Sequence, residues 1–195
     1  MSTSLPLCDR YWLLTSTTYG TWLPGDDRGF VSPVELGFGP EKRQNVPGTP
    51  YDAGVPGYRR VARASLKCPP IFFSGVQSQA VLQQFRETSR FRDWVLCAAA
   101  VMASHFHLVV GVPGDPDPDS MLRDVKAYAS RALNEKWKKP ASRTWWTESG
   151  SKRKLPDHPA VVAGVRYIAN QEKPLALWIE PAFEELLGER GASAP

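Results

Sequence analysis

Residues 94–112 read WVLCAAAVMASHFHLVVGV, and their reading decides the fold. The stretch is apolar enough to be mistaken for a membrane span, but Ser104, His105 and His107 interrupt it before the roughly 18–20 apolar residues a spanning helix needs. The run divides more naturally at Ala103-Ser104. WVLCAAAVM (94–102) reads as a buried strand, and HFHLVVGV (105–112) as its hairpin partner after a tight turn. On a strand, side chains two apart share a face. His105 and His107 therefore stand side by side, and Phe106 points the opposite way into a core.

Working outward, YWLLTSTTYG (11–20) reads as a first strand, rich in aromatic and β-branched residues. Residues 24–70 are dense in Gly and Pro and hold no period of either kind, so they read as a long insertion with at most short pieces of order. Val76, Ala80, Leu82, Phe85 and Phe91 fall near helical spacing, which predicts a first helix from Ser74 to about Phe91. SMLRDVKAYASRALNEKW (120–137) predicts a second, with Met121, Leu122, Val125, Tyr128, Ala129, Ala132 and Leu133 on one face. SRTWWTESGSKRKL (142–155) reads as a short strand, a Gly turn and a basic segment. DHPAVVAGVRYIANQE (157–172) predicts a third helix, opened by Asp157 with Pro159 in its first turn. A short helix and a frayed tail after about residue 188 complete the chain. The order predicts one α+β domain over 1–195: a four-stranded antiparallel sheet of ferredoxin-like arrangement, two helices on one face, and a C-terminal helix.

Composition narrows the setting. The chain has 195 residues, 42% of them hydrophobic and 23% charged, which fits a globular domain and argues against global disorder. Cys8, Cys68 and Cys97 are odd in number and widely spaced, so neither a disulfide framework nor a cysteine zinc site is expected, and a reducing cytoplasm is the default. The start, MSTSLPLCDRYW, lacks the basic and apolar regions of a secretory signal. Net charge is +4, unevenly spread: residues 123–154 hold ten basic side chains against Asp124, Glu135 and Glu148. Such a surplus reads either as a phosphate-facing surface or as a solvated helix face with a basic loop.

Two imidazoles on a strand are half of a divalent-metal site; alternatively they are half-buried, hydrogen-bonded and inert. The third helix offers the missing pieces. Tyr167 and Gln171 are four apart and so share a helix face. An amide oxygen suits Mg2+ or Mn2+. A phenol one turn away is placed to attack a phosphate held by such an ion, although a core aromatic beside Ile168 is the plainer reading of Tyr167.

MASHFHLVV is similar to the histidine–hydrophobic–histidine motif of the HUH-type single-tyrosine transposases of small insertion sequences. RYIANQE resembles the tyrosine-bearing C-terminal helix of that family. YGTWLPGDDRG, VKAYASRALN and WWTESGSKRKL resemble its REP-associated tyrosine transposase branch, so the likeness runs from about Tyr11 to Trp178. The resemblance implies His105, His107 and Gln171 as metal ligands and Tyr167 as nucleophile. It further implies a Mg2+ or Mn2+ ion and cleavage and joining of single-stranded or hairpin DNA through a 5′-phosphotyrosine link that releases a 3′-hydroxyl. A homodimer is implied, with a monomer as the alternative.

Ser104 stands where many relatives carry Asn or Glu. Tyr128 ranks second as nucleophile, because its partner four residues on is Ala132, which binds no metal. Lys126, Arg131, Lys152, Arg153 and Lys154 are expected to hold phosphates; of Trp145 and Trp146, one, assigned as Trp146, would stack on an unpaired base, and if the two alternate on a strand the other is core. Arg59, Arg60 and Arg63 either contact a hairpin stem or decorate a surface loop. Asp26 and Asp27 read as turn residues, and His158 as a surface residue at a helix start. Three rival functions remain: a domesticated or inactive relative that binds hairpin DNA without cutting it, a metal-dependent hydrolase of another substrate, and a structural domain with core histidines.

Overall fold

A computed structural model of the chain describes residues 8–26, 33–34, 42–43 and 56–188. In chain order the elements are β1 (Arg10–Thr17), β2 (Pro33–Val34), β3 (Lys42–Arg43), α1 (Pro56–Ala64), α2 (Gly75–Phe91), β4 (Val95–Val101), β5 (His105–Val112), α3 (Pro118–Lys136), β6 (Ser151–Leu155), α4 (His158–Ala169), β7 (Ala176–Ile179) and α5 (Pro181–Gly188). The fold is α+β, and its main sheet has five strands in the order β6-β1-β5-β4-β7, all neighbours antiparallel. The four expected strands occupy four adjacent places. The expectation of four is corrected by β7, which pairs with β4 and extends that edge.

The 94–112 stretch folds as read. β4 and β5 form a hairpin across Met102–Ser104, and Phe106 is fully buried. Alternation along β5 sends Phe106, Leu108, Val110 and Val112 into a core beneath α2 and α3. Val109 goes to a second core, where Val161, Val165 and Ile168 of α4 meet Ala98, Ala100 and Phe183. The sheet is thus covered on both faces, which explains why β4 and β5 read as nearly unbroken apolar runs.

Local chemistry sets the helix starts. Ser74 and Gln77 form a reciprocal capping box on α2. Asp117 caps α3, with Pro118 in its first turn, and Asp157 caps α4 by accepting from the Ala160 amide at 2.8 Å. Gly164 sets the packing of α4: a Cβ there would lie 3.2 Å from Val109 and 3.3 Å from Leu155. The helix backbone can approach the sheet this closely because the side chain is missing.

Three other readings are corrected. The strand near 142–155 is the basic segment itself, Ser151–Leu155; residues 142–149 are irregular apart from one bridge between Thr18 and Trp146. Lysines and arginines suit β6 because it is an edge strand. The third helix ends at Ala169 rather than about 172, closed by Asn170 as its C-cap. Val76 and Phe91, two of the apolar residues whose spacing predicts α2, are each 71% exposed, and Val81, Ser78 and Thr88 are buried in that helix instead. In the insertion, α1 and the short β2–β3 ladder are ordered elements. Within the insertion, residues 27–32, 35–41 and 44–55, Asp27 among them, lie outside the described residues, as does the tail after 188.

Candidate active site

The site is built on the β5 face that carries α4. Antiparallel register places Thr15 opposite His107 on one side and Ala100 on the other. Ser151 and Leu177 extend that row to the two edges, and Thr17 stands opposite His105. His105 and His107 present their rings 5.0 Å apart, as the two-residue spacing requires. Gly164 sits against Val109, and Tyr167 lies three residues further along α4 and above His107. The phenol oxygen is 3.2 Å from His107 Nε2, with ring centroids 5.0 Å apart.

His107 is bonded on both ring nitrogens. Thr15 Oγ1 lies 2.7 Å from Nδ1, and the Tyr167 hydroxyl meets Nε2. Burial first, and the neighbouring His105 second, push the His107 pKa down to about 4. The imidazole is therefore neutral at pH 7, the form that offers a lone pair. His105 is less buried, and its Nδ1 lies 3.0 Å from the Ser104 hydroxyl. Tyr167 is 48% exposed, so its side chain stands at the protein surface while its hydroxyl meets the imidazole.

Gln171 lies just past the end of α4. Its side chain turns back and donates from Nε2 to the Tyr167 carbonyl at 3.0 Å, which keeps it beside the tyrosine although the helix has ended. Among the described residues no group of three or more His, Cys, Asp or Glu side chains is placed to hold a metal. A third protein ligand drawn from the described residues would therefore be of another type, and the Gln171 amide oxygen is of the right chemistry.

The expected DNA contacts separate into two kinds. Lys126 turns inward: its ammonium donates to the carbonyls of Thr147 at 2.6 Å, Glu148 at 2.8 Å and Ser149 at 3.4 Å. Burial pulls its pKa down to about 8, against Glu148, which raises it, and with Lys152, which lowers it. Trp146 is 2% exposed, so base stacking is corrected to a core role. Its ring meets Phe73 and Phe106 edge-on, and Nε1 donates to the Lys126 carbonyl and Ser130 hydroxyl. Trp145 is buried too, with Nε1 on Asn134 Oδ1. The two indoles do not alternate because this segment is not a strand.

The remaining basic residues stay at the surface. Arg131 lies over the Tyr128 ring at 5.0 Å, on α3 and across the sheet from His107. Tyr128 also lies near Phe91 and Arg92, so the second-ranked tyrosine belongs to the other face. Lys152 pairs with Asp119. Arg153 stands opposite Leu13 and so shares the sheet face of His107. Lys154, with Arg10 and His158, lines a cavity of about 540 Å³ at the start of α4. Arg59, Arg60 and Arg63 are exposed on α1, and His158 is exposed as expected. Asp26 is buried in the turn after Trp22.

Sequence reasoning missed Thr15. TST at 15–17 registers only as strand propensity, and its bond to His107 depends on a register across 92 residues of chain.

What the described residues define is an antiparallel α+β sheet presenting two imidazoles and a phenol on one face. No protein-family model matches the chain, and no curated protein matches it. Among solved structures, it is similar to a REP-associated tyrosine transposase bound to a REP hairpin, at 15% identity and a TM-score of 0.44, over 86% of this chain and 70% of the other. It is also similar to a transposase candidate from Deinococcus radiodurans R1, at 13% identity and a TM-score of 0.41, over 88% of this chain and 98% of the other. Among the described residues no helix is long and apolar enough to cross a membrane.

Proposed function

We propose that this protein cleaves and rejoins single-stranded or hairpin DNA, with Tyr167 as the nucleophile and a divalent cation held at His105 and His107. One observation carries the reading: the Tyr167 oxygen lies 3.2 Å from Nε2 of an imidazole that burial keeps neutral. Bringing a tyrosine of α4 to a histidine of β5 is the convergence such chemistry needs, and a core tyrosine would not be 48% exposed.

His105, His107 and the Gln171 amide oxygen would hold Mg2+ or Mn2+, which when bound withdraws charge from a phosphate oxygen. The chain's own residues do the rest. Tyr167 is fixed by α4 at the sheet surface and reaches solvent, so a backbone phosphate can approach its oxygen. The phenol oxygen forms a bond to phosphorus and the bond to the 3′-oxygen breaks. The product is a 5′-phosphotyrosine and a free 3′-hydroxyl, and the phenolic proton balances the one the leaving oxygen gains. Attack of a 3′-hydroxyl on the same phosphorus reverses the step and joins strands. Arg153, on the same sheet face, supplies positive charge toward the site's edge.

The test is a denaturing gel with labelled hairpin and single-stranded oligonucleotides and manganese. Wild type is expected to leave a covalent protein–DNA adduct, and Tyr167→Phe none. Salt-sensitive hairpin binding without any adduct would replace this reading with that of a binding-only relative. An adduct lost in Tyr128→Phe but kept in Tyr167→Phe would move the nucleophile to α3.

A further inference from the structure

His107 has a hydrogen-bonding neighbour on each nitrogen, Thr15 at 2.7 Å and Tyr167 at 3.2 Å. Two proton arrangements satisfy both contacts. In one, Nδ1–H donates to Thr15 Oγ1 and the phenol donates to Nε2. In the other, the Thr15 hydroxyl donates to Nδ1 and Nε2–H donates to the phenol oxygen. Donor and acceptor strength favours the first. A phenol hydroxyl is far more acidic than a neutral imidazole N–H and so the better donor, and an imidazole nitrogen is a better acceptor than a phenol oxygen.

We infer that Thr15 is a positioning residue: by accepting from Nδ1–H it holds His107 in the tautomer the phenol favours, leaving Nε2 as the one lone pair for which a divalent cation and the Tyr167 hydroxyl compete. The inference rests on the function proposed above for its metal, but its geometry does not. Metal-ligating histidines are oriented by what their other nitrogen meets, and here that partner is a threonine on the neighbouring strand. Without a cation the phenol is held on Nε2. Were a cation held at Nε2, the Tyr167 hydroxyl would lose its acceptor there, so the phenol would be freed as the site is filled.

The experiment uses the full chain at pH 7.5 without DNA. Nitrogen-15 NMR of the histidine side chains reads the tautomer directly, and manganese titration reads affinity. Wild-type His107 is expected as Nδ1–H. Thr15→Val, nearly isosteric and a good strand residue, removes the acceptor for Nδ1–H and is expected to shift the tautomer population away from Nδ1–H and to bind manganese about 10-fold more weakly or worse. Thr15→Ser keeps the hydroxyl and should restore both. Tyr167→Phe removes the competitor and should bind manganese about 2- to 10-fold more tightly, the worth of one hydrogen bond. An Nε2–H tautomer in wild type, a tautomer unmoved by Thr15→Val, or a manganese affinity indifferent to Thr15→Val or to Tyr167→Phe would overturn the inference. The DNA-adduct gel reports separately: a protein that passes these tests but forms no adduct refutes the nuclease and leaves the latch intact.

Discussion

Replacing Lys126 with methionine separates a phosphate contact from a structural clamp. Methionine keeps most of the aliphatic stem and removes only the ammonium, which donates to the carbonyls of residues 147, 148 and 149. Hydrogen bonds from a charged donor contribute about 1.5–3 kcal/mol each when buried. Only the bond to the Thr147 carbonyl is shielded from solvent, and Glu148 and Ser149 are exposed, so water can replace the other two. The loss should therefore be about 2–3 kcal/mol rather than three full bonds. For a chain of 195 residues, each kcal/mol shifts the melting temperature by about 2–4 °C, giving a drop of about 5–10 °C. Hydrogen exchange should locate the loosening in 147–151, the segment that leads into β6. Lys126→Arg should fall between, since its fork cannot reproduce three converging bonds. A melting temperature unchanged in Lys126→Met, together with markedly weaker DNA binding, would refute the clamp and restore the phosphate role.

Three further outcomes follow from the same structure. The folded-state pKa of His107 lies below its unfolded value, so the unfolded chain takes up a proton first as pH falls; stability is fully present above about pH 6.5 and is lost toward pH 4. Between pH 7.5 and 5 this amounts to about 2 kcal/mol, and urea unfolding without metal should show His107→Gln losing that much of the wild-type pH dependence. Trp146→Ala should cost about 3–5 kcal/mol and deplete soluble protein, and Trp146→Phe about 1–2 kcal/mol from the lost indole donor, with the folded fraction of each binding DNA as wild type does. Gly150→Ala would press a Cβ into the Thr15 carbonyl and to 2.7 Å from Leu122, so chemical unfolding should show a loss of about 1–3 kcal/mol.

How much of this is legible in the sequence depends on how far each feature reaches along the chain. The face shared by His105 and His107 follows from a two-residue period, and the capped helix starts follow from residues three or four apart. Both are local and both are readable. That Tyr167 stands over His107 is not local: it requires the missing side chain of Gly164, which lets α4 settle on Val109. Lys126 and Trp146 mislead together because they are joined to each other, the indole donating to the Lys126 carbonyl while the ammonium secures the loop that follows Trp146. A basic residue beside an aromatic one reads as a nucleic-acid surface until tertiary contacts turn both inward. β7 leaves no readable signal because four residues on an edge show too little alternation, and its partner β4 lies some 80 positions upstream.

The two neighbours of His107 explain why a polar imidazole can sit in an otherwise apolar sheet. On one side the register supplies Thr15, whose hydroxyl satisfies Nδ1; on the other it supplies Ala100, too small to cover the ring. A branched apolar residue at position 15 would leave a buried nitrogen without a partner, which costs about 1–3 kcal/mol. A large residue at position 100 would close the flank that the imidazole and the α4 tyrosine share. The run CAAAV of β4 is thus more than core filler: Ala98 and Ala100 pack toward α4, and their small size keeps room above the sheet for Tyr167 to reach Nε2. The stretch that sets the fold therefore also sets the site, since the hairpin that buries Phe106 on one face must carry the histidines to the other.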